Sequence, residues 1–148
     1  MRADQLHVVT ARSNPLRYAA PDRLYRDWAQ HMLDSGVSLT VVECQYGERP
    51  FTCDLPGIRH IGVRANSLVW EKERLLNIAM AALPQDWRYV AWIDSDVFFR
   101  QPDWAAETVE ALQLFDVIQP WSPCYDLVPG GEPMQLPRSF CRIWMAGE

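Results

Sequence analysis

Tyr89-Val90-Ala91-Trp92-Ile93-Asp94-Ser95-Asp96 is the stretch on which the fold turns. Five apolar residues run without a break, and two carboxylates then flank a single serine. An unbroken apolar run of this length marks a strand buried on both faces, as in a parallel sheet with helices above and below. On this reading residues 89–93 form a strand, and Asp94 and Asp96 lie at its carboxyl end, where Val97-Phe98-Phe99 returns the chain to apolar surroundings.

Working outward, the same alternation continues. Upstream, Leu75, Leu76, Ala79, Met80 and Leu83 recur at helical spacing, so a helix is predicted over 67–83, capped by Ser67 and stopped by Pro84. Residues 6–10 form a first strand, followed by a loop at Arg12-Ser13-Asn14-Pro15. Pro21 opens a helix whose Leu24, Trp28 and Leu33 make an apolar stripe and which Gly36 closes. Residues 37–42 and 58–63 read as the second and third strands, with a loop over 46–57, which makes 89–93 the fourth. Downstream, a helix from 102 to 114 leads to a short fifth strand at Val117 and Ile118. The proline-rich segment 120–137, with Gly130-Gly131, reads as a loop, and residues 139–145 fit either helix or coil. Strands alternating with helices predict an α/β fold: an open, mostly parallel twisted sheet with flanking helices, Rossmann-like in outline.

The 148 residues suit one domain, with an α/β core over 5–119 and a tail over 120–148. A net charge of -5 argues against nucleic acid as a partner. Cys44, Cys53, Cys124 and Cys141 form no C-x-x-C pair, and they read as isolated reduced thiols. His7, His31 and His60 have no ligand spacing and read as structural. No segment is long and apolar enough for a transmembrane span or a secretory signal, which leads to the expectation of a cytoplasmic protein.

Ligands of open α/β sheets bind beyond the carboxyl ends of the strands. Arg12, Glu43, Arg64, the pair Asp94 and Asp96, and Gln119 with Trp121 fall at the five predicted strand ends. Two carboxylates held this close repel one another and lose hydration. A hard divalent cation, Mn2+ or Mg2+, relieves both costs and completes its shell with phosphate oxygens and water. The triplet therefore suits a metal-bridged diphosphate. An Asp-x-Asp in a surface turn is the bland alternative, and the buried strand in front of it weighs against that.

A hydrophobic strand, Asp-x-Asp and further apolar residues resemble the metal motif of GT-A-fold glycosyltransferases. Trp70-Glu71-Lys72-Glu73-Arg74-Leu75-Leu76-Asn77-Ile78-Ala79 resembles the helix before that motif in the β-1,4-galactosyltransferase family, which reads Phe-Asn-Arg-Ala-Lys-Leu-Leu-Asn-Val-Gly. Val8-Val9-Thr10-Ala11-Arg12 is similar to that family's Ile-Ile-Pro-Phe-Arg. The resemblance spans roughly residues 6–100. It implies a metal-dependent glycosyltransferase that binds a nucleotide-diphosphate sugar, a UDP-sugar above all, for transfer to an acceptor hydroxyl. It implies that Thr10 and Arg12 lie near the nucleotide, that Trp70 stacks on the base, and that Lys72 contacts base or phosphates. Asp94 would serve the ribose or the metal shell, Asp96 would bind the metal, and Glu43, where the family has Asn, would meet the nucleoside.

On the residues alone, Trp70 reads equally as a core aromatic, and Lys72 and Arg74 as a solvated face paired with Glu71 and Glu73. The family's later acidic Gly/Trp-rich motif and metal-binding His have no counterpart here. The expectation is therefore a fragment, a truncated product, or a reduced relative that binds without transferring. A haloacid-dehalogenase-like phosphohydrolase, which also uses Asp-x-Asp, and a non-catalytic nucleotide-binding module are the competing readings.

Overall fold

The computed structural model describes residues 3–69, 71–127, 131–134 and 138–147. The chain divides into two compact units, Met1–Val109 and Glu110–Glu148. The first holds the sheet. Its strands are β1 (Leu6–Ser13), β2 (Ser38–Tyr46), β3 (Arg59–Ala65) and β4 (Tyr89–Trp92). Helix α1 (Ala19–Asp34) joins β1 to β2, α2 (Lys72–Ala81) joins β3 to β4, and α3 (Trp104–Ala111) follows β4. All strand pairs are parallel, in the order β3-β2-β1-β4. The expected open parallel α/β sheet is the fold of this chain.

Each face of the sheet is closed by different elements. On one, Leu6 and Val8 of β1 and Leu39 and Val41 of β2 pack with Tyr25, Trp28, Ala29 and Met32 of α1 and with Trp104, Ala105 and Val109 of α3. On the other, Val9, Val42 and Cys44 pack with Leu75, Leu76 and Ala79 of α2. The period-two alternation of strand side chains produces this division. Pro21 falls in the first turn of α1, where no helical N–H is lost. Beyond α1, Gly36 takes φ 76°, a left-handed conformation that a β-carbon would strain.

Four local expectations need correction. The stretch 89–93 is not a strand buried on both faces: β4 lies at the sheet edge, and Trp92 is 74% exposed. The strands buried on both sides are β1 and β2, which have neighbours left and right. Leu24 is exposed, because the stripe of α1 that meets the sheet runs through Tyr25, Trp28, Ala29 and Met32 instead. Ser67 does not cap α2, which begins at Lys72, five residues further on, and Leu68 and Val69 are exposed. Val117 and Ile118 form no strand. Two β-branched residues are too short a run before Pro120, which has no N–H to offer a ladder, and Val117 is exposed.

In the second unit, isolated antiparallel bridges join Pro123 to Arg138 and Leu127 to Pro133. Helix α4 (Phe140–Ala146) resolves the ambiguous tail. Ser139 caps it, accepting a 3.2 Å hydrogen bond from the Arg142 N–H. Among the described residues, no helix is long and apolar enough to cross a membrane.

No helix covers the β2-to-β3 crossover; a loop does, and Phe51 of that loop lies flat against β3. A β-carbon on Gly62 would meet the Phe51 ring at 2.5–2.8 Å. The ring is itself held under the Arg64 guanidinium at 4.6 Å and edge-on to His60 at 5.4 Å. Gly62→Ala is expected to destabilise the fold by about 1–3 kcal/mol, an overpacking cost, read as a lower midpoint in chemical denaturation. Pairing it with Phe51→Leu should recover part of the loss.

Candidate functional site

In the order β3-β2-β1-β4 the chain leaves β1 for β2 on one side and later returns to β4 on the other. The reversal falls between β1 and β4, and the crevice beyond their carboxyl ends is where sheets of this kind take ligands. The Asp94-Ser95-Asp96 triplet lies at this position. The Ile93 N–H continues the ladder to the Val9 carbonyl at 3.1 Å, and the Val97 N–H closes a turn onto the Asp94 carbonyl at 3.1 Å. Ser95 and Asp96 are the central residues of that turn.

Apolar anchors on both sides fix the turn. Ile93 is buried, and Val97 and Phe99 pack against the α1-side core. Phe99 stacks on Trp104 with centroids 4.0 Å apart, and its N–H donates to His31 Nε2 at 3.1 Å. His31 is thus structural, as expected. Between these anchors Asp94 and Asp96 project into solvent.

The two carboxylates have different surroundings. Asp94 Oδ1 lies 2.5 Å from Lys72 Nζ, at the start of α2, and the two side chains are 51% and 28% exposed. Asp96 is exposed, and no described residue bonds to it. Lys72 therefore does not pair with the neighbouring glutamates; Arg74 does, reaching Glu71 at 3.2 Å. No group of three or more potential metal ligands occurs among the described residues. One or two carboxylates with phosphate and water is nonetheless a common donor set for Mg2+, and an unpaired Asp96 beside a half-paired Asp94 fits it.

Arg12 and Glu43 are adjacent in the β1–β2 register, yet both turn inward. Arg12 is 7% exposed. Its guanidinium donates to the Pro21 carbonyl at 3.0 Å, pairs with Asp22 at 2.6 Å and lies 4.9 Å over the Tyr25 ring. Glu43 is 2% exposed. Its oxygens accept from Gln45 Nε2 at 2.7 Å, the Thr52 N–H at 2.8 Å, the Thr52 hydroxyl at 3.1 Å and the Cys53 N–H at 2.9 Å, and they meet His60 Nε2 at 2.9 Å. The expectation that Glu43 meets a nucleoside does not fit this geometry, because no lone pair faces solvent. Arg12 is likewise committed to the fold. Thr10 is 1% exposed, and its hydroxyl has no partner among the described residues. Trp70 and the Cys141 thiol lie outside what the structure describes; Cys44, Cys53 and Cys124 form no disulfide.

The structure thus pairs Lys72 with Asp94, two residues before the exposed Asp96, and withdraws Arg12 and Glu43 inward beside Tyr25 and His60, with the half-buried Asp22 as partner of Arg12. Burial alone would raise the Glu43 pKa; the hydrogen bonds from Gln45, Thr52 and Cys53 outweigh it and hold the carboxyl below its ordinary 4.5. The same burial, with the Glu43 charge nearby, pushes the Cys53 thiol up to about 11, so it is no nucleophile at neutral pH.

A depressed carboxyl pKa stabilises the fold above the unfolded value, and that contribution disappears as pH falls through the folded one. Glu43→Gln should cost about 3 kcal/mol at neutral pH and flatten the loss of stability below pH 4.5, checked by denaturation across an acid pH series. In the folded wild type, Cys53 should resist alkylation at neutral pH and react only after denaturant is added.

Comparison with known proteins returns no match: no family model, no curated protein and no solved structure matches this chain.

Proposed function

We propose that the crevice between β1 and β4 binds a nucleoside-diphosphate sugar, a UDP-sugar above all, through a divalent metal, as the donor site of a GT-A-type glycosyltransferase. The observation that carries this reading is an Asp-x-Asp turn with one unpaired carboxylate, beyond the strand at which the sheet order reverses. The Lys72 ammonium beside it supplies a second, fixed positive charge.

In this reading Asp96 holds the metal, Mn2+ or Mg2+, and Asp94 shares its charge between that ion and Lys72. When bound, the metal neutralises charge on the departing diphosphate. Lys72 adds to the same field from the start of α2, where helix N–H groups also face an anion favourably. Ile93, Val97 and Phe99 keep the turn from rearranging as the ligand binds. Thr10 and Arg12 are buried in β1, the strand on one side of the crevice, and are given no contact with the ligand. The reading extends to the donor; no described side chain is assigned to the acceptor or to its deprotonation. Donor binding without transfer is the second form of the proposal, and it rests on the same three residues.

The test is calorimetric titration of UDP and UDP-sugars with and without Mn2+. UDP binding should need the metal, and Asp96→Asn should weaken it by more than the ~10–100-fold typical of losing an outer-shell partner. Lys72→Met should act in opposite directions on the two ligands. Mn2+ alone binds more tightly once Asp94 is released, whereas UDP with Mn2+ binds less tightly. Metal-independent UDP binding that survives Asp96→Asn, or phosphoenzyme formation on Asp94, would overturn the proposal.

A further inference from the structure

One strand away from the acid turn, beyond the carboxyl ends of β1 and β2, lies a cleft of about 160 Å³. Asn14, Arg17, Asp22, Gln45, Arg49 and Thr52 line it. Three features set it apart from an ordinary surface dip.

Its charge is positive and is not cancelled from within. Asp22 is the one carboxylate of the lining, and Arg12 behind it already takes that charge at 2.6 Å. The Arg17 and Arg49 guanidiniums remain. No described residue pairs with the Arg17 side chain.

Its walls are held in place before any ligand arrives. Arg49 Nη1 donates to the Pro15 carbonyl at 2.8 Å, and the guanidinium lies 6.0 Å over the Tyr46 ring. Arg64 donates to the Gly47 and Arg49 carbonyls at 2.6 and 2.5 Å, which fixes the turn carrying Arg49. On the opposite wall the Asn14 amide donates to the Tyr18 carbonyl at 2.8 Å and to Asp22 at 3.2 Å. The Asn14 carbonyl oxygen accepts from the Tyr18 N–H at 3.1 Å.

Its third feature is strain. Arg17 has φ 59°, the one non-glycine residue with positive φ among those described. A long side chain in the left-handed region costs stability that glycine would not, and such residues concentrate at functional sites.

Two arginines lining one small polar cleft suit a tetrahedral oxyanion, a group that guanidiniums bind through paired N–H donors. We propose that this cleft binds a phosphate group, either free phosphate or a small phosphate monoester. The site uses none of Lys72, Asp94 and Asp96 and requires no metal, so it stands apart from the donor-site reading.

The experiment titrates the full chain with inorganic phosphate and with glycerol phosphate, in metal-free buffer, by calorimetry or amide chemical shifts. Saturable binding of either probe is expected, and which one binds more tightly tells free phosphate from an ester. Arg17→Gln and Arg49→Gln should each weaken it by about tenfold or more. Arg17→Gly should weaken it similarly while raising the Tm, because glycine relieves the strain; that pairing separates lost binding from lost fold. Lys72→Met and Asp96→Asn should leave it unchanged. No saturable binding of either probe, binding indifferent to both arginines, or binding lost with Asp96→Asn overturns the proposal.

Discussion

A buried carboxylate governs this fold. Between β2 and β3 a parallel sheet ordinarily runs its crossover through a helix, which satisfies its own backbone hydrogen bonds. This chain uses a loop instead, and part of that loop is buried: Cys53 is 1% exposed. Buried N–H groups need partners. Glu43 provides them for Thr52 and Cys53, and it joins His60 of β3 to the same centre. Desolvating a carboxylate is costly, and five donors on two oxygens recover the cost. Without that anion the Thr52 and Cys53 N–H groups would lose their acceptor.

The consequences spread along that face. Fixing Cys53 places its carbonyl for the Tyr25 hydroxyl at 2.7 Å, and Tyr25 in turn lies under Arg12, which is paired with Asp22. The charged side chains around the sheet therefore fall into three groups. Arg12, Asp22, Glu43 and His60 build the scaffold. Asp94 and Asp96 project from it on a turn whose flanking residues are packed, with Lys72 beside Asp94 at the start of α2, and Arg17 and Arg49 line a separate cleft. Rigid support beneath exposed, weakly partnered charge is the arrangement that binding an anion or a metal requires, because little reorganisation is left to oppose it.

The degree to which the sequence announces all this varies by element. The helix at 72–81 and the central strands follow from their own apolar periodicity, and the triplet after Ile93 is plain from composition. Leu24 and the edge position of β4 are not legible. Both depend on which neighbour an apolar residue meets, and Trp92 is as hydrophobic in solvent as in a core. The Arg17 and Arg49 cleft leaves no motif, since its two guanidiniums come from loops more than thirty residues apart in the chain.

From its residues alone this chain determines an alternating α/β pattern, polar groups at the strand ends, and a paired carboxylate after an apolar run. These are local properties, set by side-chain period and by turn chemistry. Strand order, and with it the reversal between β1 and β4, belongs to the tertiary structure. So does the sorting of strand-end charges into buried partners and exposed ones: Arg12 and Glu43 look as available in sequence as Lys72 and Asp94. Only packing decides which of them loses water, because desolvation is a property of the assembled surroundings and not of the residue.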